Sequence, residues 1–276
     1  NERYWFGLSM TSRFGLGSEF DEDWLGKYNN YYAIIQSASL TPTLAMKVSD
    51  QLSIAVGVEA MWFQFEQKKK LPPGSLGFGE ELRQLDASLL GDDIGWGWNL
   101  GLHFRPTEKL RVGMFYRSEV KQNIAGEVEF SSDLLEQQLL SLNANGEVTL
   151  PQSFTVGAAY QLTDRTSIEA DAMYIKWSSY DNLSINYGEP FNFSNSVEKN
   201  WKDVWRYQLG IEHALTSSSW LRVGYVYDNS PVPDETIDYM VPANDRQIYS
   251  IGYGFKKDKW TWDFSYSYLD IKVGIG

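Results

Sequence analysis

The chain contains no cysteine, so neither a disulfide framework nor thiol chemistry is open to it. It has only two histidines, His103 and His213. Neither sits in a recognisable nucleophile arrangement, and no Cys/His cluster has metal-ligand spacing. Structural or interfacial roles account for both, and no catalytic residue, metal or cofactor is expected. No apolar run approaches the roughly 20 residues that a membrane helix needs, which excludes a helical membrane protein. Basic residues are outnumbered, 24 Lys and Arg against 36 Asp and Glu, for a net charge of −12. With no basic stripe, that balance argues against nucleic acid as a partner. No Pro/Gly/Ser linker divides the 276 residues, so the chain reads as a single domain over 1–276.

What the chain does have is alternation. Trp262, Phe264, Tyr266 and Tyr268 lie on one face of an extended segment, with Thr261, Asp263, Ser265 and Ser267 on the other. The same pattern runs through Ile54/Val56/Val58/Ala60/Trp62, Trp96/Trp98/Leu100/Leu102/Phe104, Leu110/Val112/Met114/Tyr116 and Phe154/Val156/Ala158/Tyr160. It recurs at Ile168/Ala170/Ala172/Tyr174, Trp205/Tyr207/Leu209/Ile211, Leu221/Val223/Tyr225/Tyr227 and Tyr249/Ile251/Tyr253/Phe255. Successive side chains of a strand point to opposite faces, so each segment has one apolar and one small or polar face. Tyr and Trp at the ends of so many apolar faces describe the aromatic girdle of a lipid-facing barrel. A mean hydropathy of −0.38 is no objection, because only alternate strand residues need be apolar.

About eleven strands are expected, near 3–11, 33–48, 52–66, 95–105, 109–128, 147–162, 165–187, 202–215, 219–228, 245–256 and 260–270. Tight turns join them at Ser49-Asp50-Gln51, Pro106-Thr107-Glu108, Thr163-Asp164, Thr216-Ser217-Ser218 and Lys257-Asp258-Lys259. The other connections, near 12–32, 67–94, 129–146, 188–201 and 229–244, are long. Short periplasmic turns and long extracellular loops are the asymmetry of an outer-membrane barrel. An odd strand number puts the two ends on opposite sides, and an open edge in lipid leaves backbone groups unsatisfied. The expectation is therefore an all-β antiparallel transmembrane barrel lacking at least one closing strand after Gly276 and an even number before Asn1.

Several stretches, in order along the chain, carry a family resemblance. They are Ser12 to Trp24 with Phe14-Gly15-Leu16 and Glu19-Phe20, Gly95-Trp96-Gly97-Trp98-Asn99-Leu100-Gly101, Tyr116-Arg117-Ser118-Glu119-Val120 and Leu150-Pro151. Trp177-Ser178-Ser179-Tyr180, Ser230-Pro231-Val232-Pro233-Asp234 and Asn244-Asp245-Arg246 complete the series. The chain resembles the FadL/TodX-type transporters of long-chain fatty acids and aromatic hydrocarbons in the outer membrane of Gram-negative bacteria. The resemblance implies a barrel of about fourteen strands, of which the N-terminal hatch, the first strands and the final strand have no counterpart here. It also implies a strand, matching 3–16, that bends away to open the wall sideways, with Gly7, Gly15 and Gly17 permitting bends.

Function is then sought where alternation fails. Leu82, Leu85, Leu89 and Leu90 fall at helical spacing, as do Leu134, Leu135, Leu139, Leu140 and Leu142 behind Ser132 or Asp133 as an N-cap. Two short amphipathic loop helices are expected. They form either a small loop core or a groove, extended by Leu76 and Phe78, that captures an apolar ligand. Glu59, Arg111, Arg117, Glu169, Asp171, Arg206, Glu212, Arg222, Asp228 and Asp263 should face the lumen, mostly as a self-paired network. Met61, Phe63, Phe115, Met173 and Val226 should face it too. Met61, Phe63, Phe115 and Met173 would hold a ligand tail, and Arg117, within a family motif, a carboxylate. Asp21, Glu22, Asp23 and the pair Asp92-Asp93 are solvated acids or surface cation sites. The expected function is passive uptake of hydrophobic molecules by a monomer. Its partners would be the ligand, outer-membrane lipid and lipopolysaccharide, and the barrel-assembly machinery. The alternative is a general water-filled porin for small hydrophilic solutes.

Overall fold

The computed structural model describes residues 3–75, 85–132, 137–190, 192–241 and 243–272, with 137–139 by backbone alone. The alternating segments all form strands, because their backbone groups find partners only in a ladder. In order these are β1 (Tyr4–Thr11), β2 (Leu16–Glu19), β3 (Tyr32–Lys47), β4 (Leu52–Leu71), β5 (Leu85–Phe104), β6 (Leu110–Arg117), β7 (Val120–Ser132) and β8 (Gln137–Leu150). There follow β9 (Ser153–Thr163), β10 (Thr166–Ile175), β11 (Asn182–Tyr187), β12 (Phe193–Glu198), β13 (Val204–Thr216), β14 (Ser219–Asp228), β15 (Arg246–Lys257) and β16 (Trp260–Ile271). All belong to one antiparallel 16-stranded sheet.

The sixteen strands make eleven staves, five of which are broken once: β1/β2, β6/β7, β8/β9, β10/β11 and β12/β13. Thus β5 pairs with β6 along its second half (Asn99↔Arg117) and with β7 along its first (Asp92↔Ala125). Opposite them, β9 and β8 run the length of β6 and β7. The staves correspond one to one with the expected strands. Among the described residues, β1 and β2 pair with β3, and β16 pairs with β15.

Two expectations are corrected. Residues 85–90 lie in β5 and 137–142 in β8, so neither leucine-rich segment is helical over its described part. Ser132 ends β7 rather than capping a helix. The long loops near 67–94 and 129–146 shrink accordingly, since β4 runs on to Leu71 and β7 to Ser132. Short 3-10 segments lie at Trp177–Ser179 and Asp234–Thr236.

Strand length sets the vertical plan. β4 and β5 have 20 residues each, about twice the 9–11 that cross a bilayer. On β5 the outward residues Ile94, Trp96, Trp98 and Leu100 are exposed and apolar. Asp92 also faces outward, one step above that apolar row. On β4, Val56 and Val58 are exposed, while Gln64, Glu66 and Lys68 follow above Trp62. Above this boundary, apart from the exposed Leu90, the large apolar residues of β4, β5 and β7 turn inward. Met61, Phe63 and Phe65 of β4 join Ala33, Val120 and Leu150 in one buried cluster, and Ala87, Val128, Phe130 and Leu142 form a second. The sheet thus has an apolar outer band in the membrane and an extension above it that is apolar on its inner face.

Candidate functional site

The site begins at the break between β1 and β2. At Ser12–Gly15 the ladder with β3 lapses, and the Ser37 hydroxyl takes over. It accepts from the Phe14 N–H at 3.0 Å and donates to the Phe14 carbonyl at 2.6 Å. This break turns Arg13 into the lumen. Its guanidinium pairs with Glu59 at 2.7 Å, with both side chains almost fully buried, and lies 5.1 Å from the centre of the Phe14 ring. A buried charge pair of this kind is kept only where each partner is satisfied.

Above Arg13 the lumen holds an apolar cavity of about 340 Å³. Phe63 and Phe65 of β4, Ile124 of β7 and Val148 of β8 form one wall. Trp177 and Trp201, stacked edge to face at 4.9 Å, form another, and Phe14 meets Trp177 at 6.0 Å. Met240 and Val241, from the connection between β14 and β15, complete the lining. That connection is strapped in place. Asp238 accepts from the Met240 and Val241 N–H groups and pairs with the buried Lys199. Burial, with Asp238 nearby, raises the Tyr180 hydroxyl above its ordinary pKa and keeps it neutral.

Three arginines edge this cavity. Arg13 is held by Glu59, and Arg246 by Asp228 at 2.7 Å. Arg206 differs, since its Nε is buried and lacks a hydrogen-bond partner among the described residues. Asp228, which could serve it across the Arg206↔Asp228 register, is taken by Arg246.

Below Arg13 the lumen is polar. A cavity of about 650 Å³ is lined by Arg111, Glu169, Asp171, Glu212, Arg222 and Asp263. Arg222 bridges Glu212 at 2.7 Å and Asp263 at 2.6 Å, tying β14 to β13 and β16. His103 and Phe115 line a neighbouring cavity of about 370 Å³ that shares Arg111, Glu169 and Asp171 with it. The lumen therefore changes character at the level of the β1/β2 break, with apolar walls above and charges below.

The expected ligand residues divide across this plan. Phe63 lines the apolar cavity and Met61 packs into its wall. Phe115 sits lower, beneath the Arg117 guanidinium at 5.0 Å. Arg117 and Met173 are absent from the apolar lining. Leu85, Leu89 and Leu140 belong to the inward apolar face of the extension. Leu139 lies in β8, whereas Phe78, Leu82, Leu134 and Leu135 fall outside the described residues. Trp177, Trp201 and Met240 went unassigned in the sequence. Their signal is that each sits where alternation lapses between strands. Among the described residues no group of His, Asp and Glu could hold a metal. Asp23 pairs with Lys27 at 3.1 Å and Glu22 with Lys70 at 3.4 Å.

The model of the outer membrane protein transport protein family (OMPP1/FadL/TodX) matches residues 1–274. The long-chain fatty acid transport protein of Escherichia coli O6:H1 is 25% identical over 94% of this chain, which spans 64% of that relative's length. The Salmonella typhi protein of the same name is 26% identical over 100% of this chain and 69% of its own length. Outer membrane protein P1 of Haemophilus influenzae (strain ATCC 51907) is 25% identical over 99% of this chain and 64% of its own. Two solved structures share the fold. A Pseudomonas aeruginosa FadL homologue has a TM-score of 0.89 at 23% identity, covering 99% of this chain and 68% of its own. The Ralstonia pickettii toluene transporter TbuX has a TM-score of 0.75 at 19% identity, covering 96% and 72%. The chain belongs to the OMPP1/FadL/TodX family of outer-membrane transport proteins, and the outer membrane of a Gram-negative bacterium is the bilayer that its apolar band crosses.

Proposed function

We propose that this chain forms the wall and the ligand path of a passive channel for hydrophobic molecules, long-chain fatty acids or aromatic hydrocarbons. The observation that carries the reading is the apolar cavity roofed by Met240 and Val241 above a charged lower lumen. Its volume of about 340 Å³ is within the usual range of small-molecule sites, about 300–1,000 Å³. Each methylene buried there contributes roughly 0.8 kcal/mol. The charged lumen below offers an apolar tail no such gain, so an occupant leaves more easily sideways. The break at Ser12–Gly15 lies at that level and is the place where the family resemblance puts a lateral opening. For a fatty acid, Arg206 is the better carboxylate partner than Arg117, because its buried Nε lacks a hydrogen-bond partner among the described residues. A charge-assisted hydrogen bond there satisfies both groups.

In this reading the protein works as a monomer among outer-membrane lipid and lipopolysaccharide, after insertion by the barrel-assembly machinery. The test is uptake of labelled oleate and of toluene by cells that rely on this protein, set beside liposome swelling with sugars. Val241→Asp, which places a carboxylate in the cavity roof, should cut uptake of both ligands at least about tenfold while the barrel still inserts. Sugar permeability without hydrophobic uptake would sink the proposal.

A further inference from the structure

The strand turns at the end opposite the extension form one level rim. Backbone hydrogen bonds stitch each turn to the next. The N–H of Lys47 donates to the Arg3 carbonyl at 2.9 Å, Arg105 to Gln51 at 2.7 Å and Gln161 to Lys109 at 2.8 Å. Ala214 donates to Arg165 at 2.7 Å and Lys256 to Ser218 at 2.8 Å. Short turns mark this rim as the periplasmic one.

Charge is divided unevenly between the two ends of the apolar band. The chain carries a net −12, yet its rim is basic. Arg105, Lys109, Arg165, Lys256, Lys257 and Lys259 are exposed there and outnumber Glu108, Asp164 and Asp258. Among the described residues none of these cations has an ion-pair partner, whereas Lys47 is matched by Asp50 at 2.6 Å. On the outer face above the band the balance reverses. Lys68 is matched by Glu66 at 3.2 Å and Lys121 by Glu147 at 3.8 Å, which leaves the acids Asp92, Glu127 and Glu129 in excess.

The turn from β15 to β16 brings the basic rim against lipid. Asp258 adopts φ 55°, so the chain reverses within Asp258-Lys259 and Lys257 pairs directly with Trp260. By alternation Lys257 and Trp260 share the outward face with Trp262 and Phe264, and all three rings are exposed. The Lys259 ammonium stands 5.8 Å from the centre of the Trp260 ring, a contact that leaves it open to an anion. Cations without counter-charge at the edge of an apolar band fit an anionic head whose apolar body already lies in the membrane.

Going beyond the uptake reading, we infer that the periplasmic rim binds anionic phospholipid of the adjoining leaflet. The phosphate of a phosphatidylglycerol-type head sits on Lys257 and Lys259, and the acyl chains lie along Trp260, Trp262 and Phe264. The same lipid is disfavoured at the other edge of the band, beside Asp92, Glu127 and Glu129. The charge division therefore fixes the depth of the barrel and the composition of the lipid around its lower half.

No cysteine occurs in the chain, so a single introduced thiol can carry a reporter. Bimane at Leu221→Cys, on the lipid face of β14 near the rim, would be followed in the purified protein reconstituted into phosphatidylcholine vesicles. Brominated phosphatidylglycerol and brominated phosphatidylcholine would be titrated as quenchers. Phosphatidylglycerol should associate about fivefold more strongly, the scale of one basic residue at an anionic surface. High salt should reduce that preference, Lys257→Gln with Lys259→Gln should abolish it, and Lys257→Arg with Lys259→Arg should retain it. The phosphatidylcholine curve should be the same in every variant. A second reporter at Ile94→Cys, exposed on the lipid face two residues from Asp92, should show no preference. Equal association of the two lipids at Leu221→Cys, a preference that survives the glutamine pair, or the same preference at both reporters overturns the assignment. None of these outcomes bears on uptake, which the transport assay decides separately.

Discussion

At the scale of single residues, Gly95-Trp96-Gly97-Trp98 shows how one strand serves two media. Trp96 and Trp98 point to lipid, Trp96 with 67% of its surface exposed. Gly95 and Gly97 point inward, where β7 crowds close. A Cβ on Gly95 would stand 2.4 Å from the Lys121 carbonyl oxygen and 2.6 Å from Val120 Cγ1. One on Gly97 would meet Val120 Cγ2 at 2.9 Å. The break at Ser118-Glu119 brings Val120 and Gln122 inward at this level, and both are buried. Glycine is required for the space it leaves, since a side chain would press against backbone. Gly95→Val should therefore destabilise the folded barrel by about 1–3 kcal/mol through overpacking, read as a lowered urea midpoint in lipid bilayers. Trp96→Leu, on the lipid side, should cost less than about 1.5 kcal/mol. Equal losses in the two variants would show that Gly95 is not confined by β7.

At the scale of elements, the staves were legible and their breaks were not. Alternation specified the eleven segments because period 2 is imposed by any strand with unlike faces. In 110–130 and 140–160 the large aliphatic side chains stay on even-numbered residues on both sides of the polar Ser118, Gln122 and Gln152, so the sequence shows no change of phase. The breaks at Ser118-Glu119 and Pro151-Gln152 insert one residue each and swing that unbroken series from the lipid face to the lumen face. The leucines misled for a related reason. Leu85 and Leu89 are four apart, which suits a helix, but with Ala87 between them they also form one strand face. Pairing decides the matter: Leu85 meets Leu71 of β4 and Ala87 meets Phe130 of β7, a two-sided ladder that a helix would forfeit. The candidate site was legible for Phe63 and Met61, which lie on regular strands. It was opaque for Met240, whose position depends on the strap between β14 and β15. That strap hangs on Asp238, which accepts two backbone N–H groups and the Lys199 ammonium. Asp238→Asn leaves Lys199 buried without its counter-charge, a change that costs several kcal/mol where a buried pair is broken. Hydrogen exchange at Met240 and Val241 should accelerate at least about tenfold, while amides of β4 and β5 keep their protection. Unchanged exchange in the strap would mean that another contact holds it.

At the scale of the whole molecule, the inside and outside of the sheet exchange polarity at one height. Within the band the outer face is apolar and the lumen charged, as at Arg222 between Glu212 and Asp263. Above it the outer face carries Gln64, Glu66 and Lys68, and the inner face carries Phe65, Val128 and Phe130. The lower half is thus built against lipid, and the upper half is built like a soluble sheet around an apolar interior. Both arrangements put apolar surface where water is scarce, and only the location of the dry side changes. β4 places a sharp test on a single strand. Val58 lies midway along its outward apolar row, 51% exposed, and Gln64 lies on the same face one step above Trp62. Arginine at the bilayer midplane costs about 2–4 kcal/mol, falling to about 0–1 kcal/mol at the interface. Val58→Arg should lose the larger amount in urea titrations of the protein refolded into liposomes, and Gln64→Arg almost none. The two values would converge if the membrane boundary lay higher on β4. In that case Phe65 and the buried cluster around it would sit at membrane depth.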